Sequence, residues 1–183
     1  MRTIKKHKEK VIILAIALLA LDVIVWRAIF TSSAGARFVF LDVGQGDSEL
    51  VEFPAFGGQD RGVQLLIDGG PPNGAALREL GRALAPTDRY IDLVLMTHPQ
   101  EDHFGGLIEV LRQYDVGAFH WSGRAGKTDA YPELIRVIGE RGIQMVELGS
   151  GDRIRTSGGT VCILSPTPDL LRSENLNDTT LVL

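Results

Sequence analysis

Two histidines and an aspartate, His98, Asp102 and His103, stand within six residues of one another. They follow the short aliphatic run Ile91, Asp92, Leu93, Val94, Leu95, Met96 and precede the pair Gly105 and Gly106. Imidazole and carboxylate are ligands for zinc, manganese or iron, and a protein shell of only a few ligands leaves positions open for water and substrate. A bound metal brings the pKa of water toward neutrality, so the chemistry on offer is hydrolysis. On one helix, residues five apart diverge by about 140°, so His98 and His103 converge only if at least one is on a loop. Pro99 agrees, because it excludes His98 from a helix interior. The competing reading is a set of polar capping residues at a strand-to-helix turn.

Two further acidic turns close apolar strands. Asp42, Gly44, Gln45, Gly46 and Asp47 follow one strand, and Asp68, Gly69 and Gly70 follow another. Such groups suit orientation of ligand histidines, although Asp and Gly are also ordinary turn residues. Gly44-Gln45-Gly46 lacks the third glycine and the following helix of a dinucleotide loop. Asn177 and Asp178, before Leu181, Val182 and Leu183, read by themselves as turn chemistry. His120 has no ligand-type neighbours, and Cys162, in an apolar run, is expected in the core.

The elements that must position these residues follow from periodicity. Short apolar runs predict strands at 38–43, 48–53, 63–67, 91–96, 118–121, 143–148, 153–156 and 160–164. Helical spacing predicts helices from Asn73 to about 84, from 105 to 114, and from Pro132 to Gly142. Strands first and then alternation with helices describe an α/β layered domain over 37–183. A glycine-rich hairpin connection is expected at 54–62.

Residues 1–36 differ from the rest. The leader, 1–10, holds five Lys/Arg and one acid, leaving 14 basic against 22 acidic residues in a chain of net charge −4. An acidic body argues against a broad nucleic-acid footprint, though not against a few phosphates at a metal site. Residues 11–30 are apolar apart from Asp22 and Arg27, and about 20 residues at ~1.5 Å each span a hydrocarbon core of about 30 Å. The expectation is a single-pass membrane helix with Met1 cytoplasmic, the domain outside the cell membrane, and 31–36 as linker. The alternatives are a signal segment cleaved near Ala36, releasing a secreted domain, and a buried helix of a soluble protein.

Four ordered motifs together resemble one family. Phe40 to Ser48, Leu65 to Pro71, Ile91 to Leu107 and Asn177 to Leu183 are similar to the metallo-β-lactamase-fold domain of the competence protein ComEC and its smaller relatives. The resemblance implies an αββα sandwich and a divalent metal, zinc or manganese. It implies hydrolysis of phosphodiesters linked to DNA uptake, with single-stranded DNA as substrate class. It assigns His98 to a first metal position, Asp102 and His103 to a second, and Asp102 also to the water-activating base; Asp42 to Asp47 and Asp68 line and brace the site.

Two departures stand out. Gln100 occupies a family histidine position, and the later strand and histidine motifs have no counterpart before Leu183. The resemblance thus covers the N-terminal half of the sandwich, which points to a truncated domain or to a complementary C-terminal fragment as partner. A non-catalytic, membrane-tethered binding or assembly domain is the rival reading.

Overall fold

The computed structural model describes residues 2–31, 35–55 and 61–183. It divides into two units, Met1–Ala34 and Gly35–Leu183.

The first unit is one helix, α1 (Arg2–Thr31). Its described side chains, Lys10 and 12–27, are exposed, and most are large and apolar. Among the described residues no helix is long and apolar enough to cross a membrane. The expected spanning helix over 11–30 is therefore not supported. The side chains of 2–9 in the basic leader, residues 32–34 of the linker and 56–60 of the hairpin connection lie outside the described residues.

The second unit is built on a six-stranded mixed sheet: β1 (Arg37–Phe40), β2 (Glu49–Phe53), β3 (Val63–Ile67), β4 (Tyr90–Leu95), β5 (Asp115–Trp121) and β6 (Gln144–Glu147), in that spatial order. The first three strands are antiparallel and β3 to β6 are parallel. Helices α2 (Ala75–Ala83), α3 (Glu101–Gln113) and α4 (Tyr131–Glu140) make the parallel crossovers. Their apolar stripes, Leu80, Leu107, Leu111, Leu134 and Ile138 among them, bury against Leu50, Leu66, Val94 and Phe119 of the sheet. On the other face Val51, Phe53, Leu65, Ile67 and Leu95 pack with Ile163 and Leu181. That face is partly covered by the hairpin β7 (Arg153–Thr156) and β8 (Gly159–Cys162).

Two expectations are corrected. Cys162 is exposed, because β8 belongs to a two-stranded hairpin that turns only Val161 toward the core. Helix α3 starts at Glu101, four residues before the predicted start, so His103 lies on its first turn while His98 lies on the preceding loop.

Parallel register decides where chemistry can gather. Ile67 pairs with Leu95, and Leu95 with His120, so the residues that follow β3, β4 and β5 emerge at one sheet edge. The carboxyl ends of parallel strands are the usual place for ligand sites in open α/β sheets.

Candidate metal centre

Asp68 is the first residue past β3 and is almost fully buried. Its φ of 54° is in the left-handed region, which Asp tolerates better than most residues. That backbone is fixed from both sides. Its N–H donates to Leu95 O (2.8 Å), and its carbonyl accepts from Ser48 Oγ (3.0 Å). The carboxylate then reaches across to the β4–α3 loop. Oδ1 accepts from Thr97 N (2.8 Å), and Oδ2 accepts from Thr97 Oγ1 (2.6 Å) and from His103 Nδ1 (2.8 Å).

These bonds determine the histidine tautomers. A carboxylate only accepts, so His103 carries its proton on Nδ1 and leaves Nε2 with a lone pair. The single proton of Thr97 Oγ1 likewise goes to Asp68, so this oxygen accepts from His98 Nδ1 at 3.0 Å. His98 Nε2 is therefore also unprotonated. The Gln100 amide lies 3.0 Å from it, and a half-turn of that amide presents an N–H to the lone pair. The two imidazole centroids are 4.0 Å apart. One buried aspartate thus orients two metal-ready nitrogens, the carboxylate–histidine relationship common around bound metals.

Electrostatics separates the two rings. Burial and the neighbouring His103 lower the His98 pKa from its ordinary value. Burial also opposes charge on His103, but the hydrogen bond to Asp68 and the charges of Asp68, Asp102 and Asp47 outweigh it and raise the pKa. Glu49, opposite Ile67 in β2, has a raised pKa through burial and the charges of Asp47 and Asp68.

Among the described residues, Asp68, His98 and His103 form a group whose ligand atoms all lie within 4.8 Å of one another. Asp102 is exposed on the first turn of α3, outside that group but near enough for its charge to act on both histidines. Gln100 is the N-cap of α3. Asp47 Oδ2 is 4.0 Å from His103 Nδ1, and Asp42, Gly44, Gln45 and Gly46 are exposed on the loop before it. This loop is seated on α3, since a Cβ on Gly46 would collide with the Asp102 carbonyl. Asn177 and Asp178 belong to a 3-10 turn, Leu176–Thr179. There the Asp178 carboxylate accepts from Ser173 Oγ and Asn175 Nδ2.

Sequence reasoning passed over Thr97 and Glu49. Thr97 carried a signal in its place between a strand and a histidine. Glu49 looked like the exposed half of an alternating strand.

The donor set fits a divalent ion. It offers two neutral imidazole nitrogens, His98 Nε2 and His103 Nε2, with the Asp68 carboxylate bracing the rings from their Nδ1 side. Residues 42–128, just under half of the chain, match the sequence model of the Metallo-beta-lactamase superfamily. Among similar solved structures is a B3 metallo-β-lactamase with an active-site glutamic acid, with 19% identity over 72% of this chain and 50% of that one and a TM-score of 0.51. Another is a chemotaxis sensor described as holding a peroxy diiron species, with 20% identity, 72% and 50% coverage and a TM-score of 0.48. A third is a mutant metallo-β-lactamase from Cronobacter sakazakii, with 16% identity, 72% and 54% coverage and a TM-score of 0.47. The first of these likenesses shows the fold. The chain spans about half the length of the structures it matches.

Proposed function

We propose that this protein is a metal-dependent hydrolase of the ComEC-like branch, acting on phosphodiester bonds of single-stranded DNA. The reading rests above all on the convergence of Asp68, His98 and His103 at the carboxyl edge of a parallel sheet. His98 and His103 would hold a zinc or manganese ion through Nε2, with Asp68 fixing both rings. The ion supplies Lewis acidity and draws the pKa of water toward neutrality. Asp102, exposed at the head of α3, is the carboxylate available to take the proton from the attacking water. Gln100 keeps the first metal position short of an imidazole, so its neutral amide favours weak loading there. The exposed apolar side chains of α1 support attachment to the cell membrane, and the basic leader before them supports an outer position for the domain.

The direct experiment is cleavage of single-stranded DNA by the full chain with zinc or manganese added after chelation. Cleavage should fall to background in an Asp102→Ala, His103→Ala variant. An unchanged rate in that variant would refute catalysis at this site. Gln100 also motivates the second reading, a membrane-tethered assembly domain of the same fold. Metal binding without cleavage of any phosphodiester is the result that favours it.

A further inference from the structure

Gln100 is fixed between the two histidines by its own backbone. Its N–H donates to His98 O (3.0 Å), and its carbonyl accepts from His103 N (2.9 Å) and Phe104 N (3.1 Å). It is the N-cap of α3, yet its side chain makes no capping hydrogen bond. The ordinary task of a polar side chain at a helix start is therefore not what holds this one. Its Oε1 instead faces His98 Nε2 at 3.0 Å.

That contact sets two acceptors against each other. Asp68 takes the proton of Thr97 Oγ1, so Thr97 takes the proton of His98 Nδ1, and Nε2 is left with a lone pair. An amide oxygen also only accepts. Two arrangements remove the conflict. Either the amide turns over and its N–H caps the His98 lone pair, or both lone pairs face one cation. Two donors about 2.1 Å from one ion stand about 3.0 Å apart at a right angle, the angle of six-coordination. A hydrogen bond has about the same length, so the surroundings decide. His103 presents a second bare Nε2, its ring centroid is 4.0 Å from that of His98, and the charge of Asp102 reaches both rings. One N–H serves a single lone pair, whereas one cation serves them all.

We propose that Gln100 binds the divalent ion through Oε1, next to His98 Nε2, and that this oxygen sets the metal preference of the centre. Carbonyl oxygen suits manganese, whereas imidazole suits zinc. The amide oxygen thus narrows the advantage that zinc holds over manganese at most nitrogen and oxygen sites. The inference rests on the metal centre of the hydrolase reading and is independent of its substrate.

The test is calorimetric titration of the chelator-treated full chain with manganese alone and with zinc alone. Loss of the free-manganese electron paramagnetic resonance signal gives a second measure of binding, and circular dichroism checks that each variant is folded. Gln100→Ala should weaken manganese binding about tenfold or more, because a ligand is lost. If the amide only caps His98, the same variant uncovers Nε2 and tightens both ions, which overturns the proposal. Unchanged affinity, or no saturable binding of either ion to the wild type, overturns it as well. Gln100→Glu keeps an oxygen donor and adds charge, so it should bind manganese at least as tightly as the wild type. Gln100→His should tighten zinc more than manganese, and equal gains would overturn the stated preference. Cleavage of DNA by a protein whose manganese affinity ignores Gln100→Ala would uphold the hydrolase reading and refute the ligand. Manganese binding that depends on Gln100 in a protein that cleaves no DNA would do the reverse.

Discussion

At the scale of single residues, Asp68 carries the centre, since one buried carboxylate holds Thr97 and His103 directly and His98 through Thr97. Asp68→Asn keeps the shape but removes an acceptor and its charge, and should weaken zinc binding by about 10- to 100-fold in competition with a chromophoric chelator. Gln100→His supplies a third imidazole where an amide now meets His98 Nε2, and should tighten zinc binding by at least about tenfold in the same assay. The pH dependence has a definite sign. His103 has a raised pKa in the folded state, so without metal its pairing with Asp68 stabilises the fold below the ordinary histidine value of 6.5. That contribution is lost as pH rises through the raised value, so the urea-unfolding gap between wild type and Asp68→Asn should narrow on that rise. Metal needs the unprotonated ring, so zinc affinity should fall as pH drops through the same value.

At the scale of elements, α3 and the turn after β3 are fitted to each other. Gly106 N donates to Gly70 O (2.9 Å), and Gly69 N donates to His103 O (2.7 Å). A Cβ on Gly106 would collide with the Gly69 carbonyl. Gly106→Ala should therefore cost about 2 kcal/mol or more in urea unfolding and displace Asp68 enough to weaken metal binding as well. This contact explains a limit of the sequence reading. Gly105 and Gly106 looked like the break before a helix, whereas they are its interior, kept small for Pro72 and the Gly69 carbonyl. Glu101 and Asp102 in the first turn carried the true signal, because acidic residues complement a helix N-terminus. Strands β2 to β4 were legible because a half-buried or fully buried strand shows as alternation or as an aliphatic run. The exposure of Cys162 was not, since which face of a two-stranded hairpin meets the core depends on the layer packed against it. His98 and His103 were visible as ligand types, but their orientation by Asp68 joins residues some thirty positions apart through strand register, which spacing along the chain does not report.

At the scale of the whole molecule, the two units make separate claims. Gly35–Leu183 contains both apolar clusters and the metal centre, so removal of the first 34 residues should leave a cooperative urea transition and the same near-ultraviolet circular dichroism. Loss of cooperativity would mean that α1 belongs to the core. Strand β1 leaves Phe38 and Phe40 exposed, 65% and 76%, on the sheet face that carries Val51, an apolar edge suited to a further strand or sheet. The central claim is nonetheless local: two histidines braced by Asp68 hold a divalent ion. The decisive measurement is cobalt(II) titration of the chelator-treated protein, followed by visible absorption. One saturable equivalent is predicted, with bands of low-symmetry cobalt that vanish in both His98→Ala and His103→Ala. No saturable spectrum, or one that survives both substitutions, would contradict it.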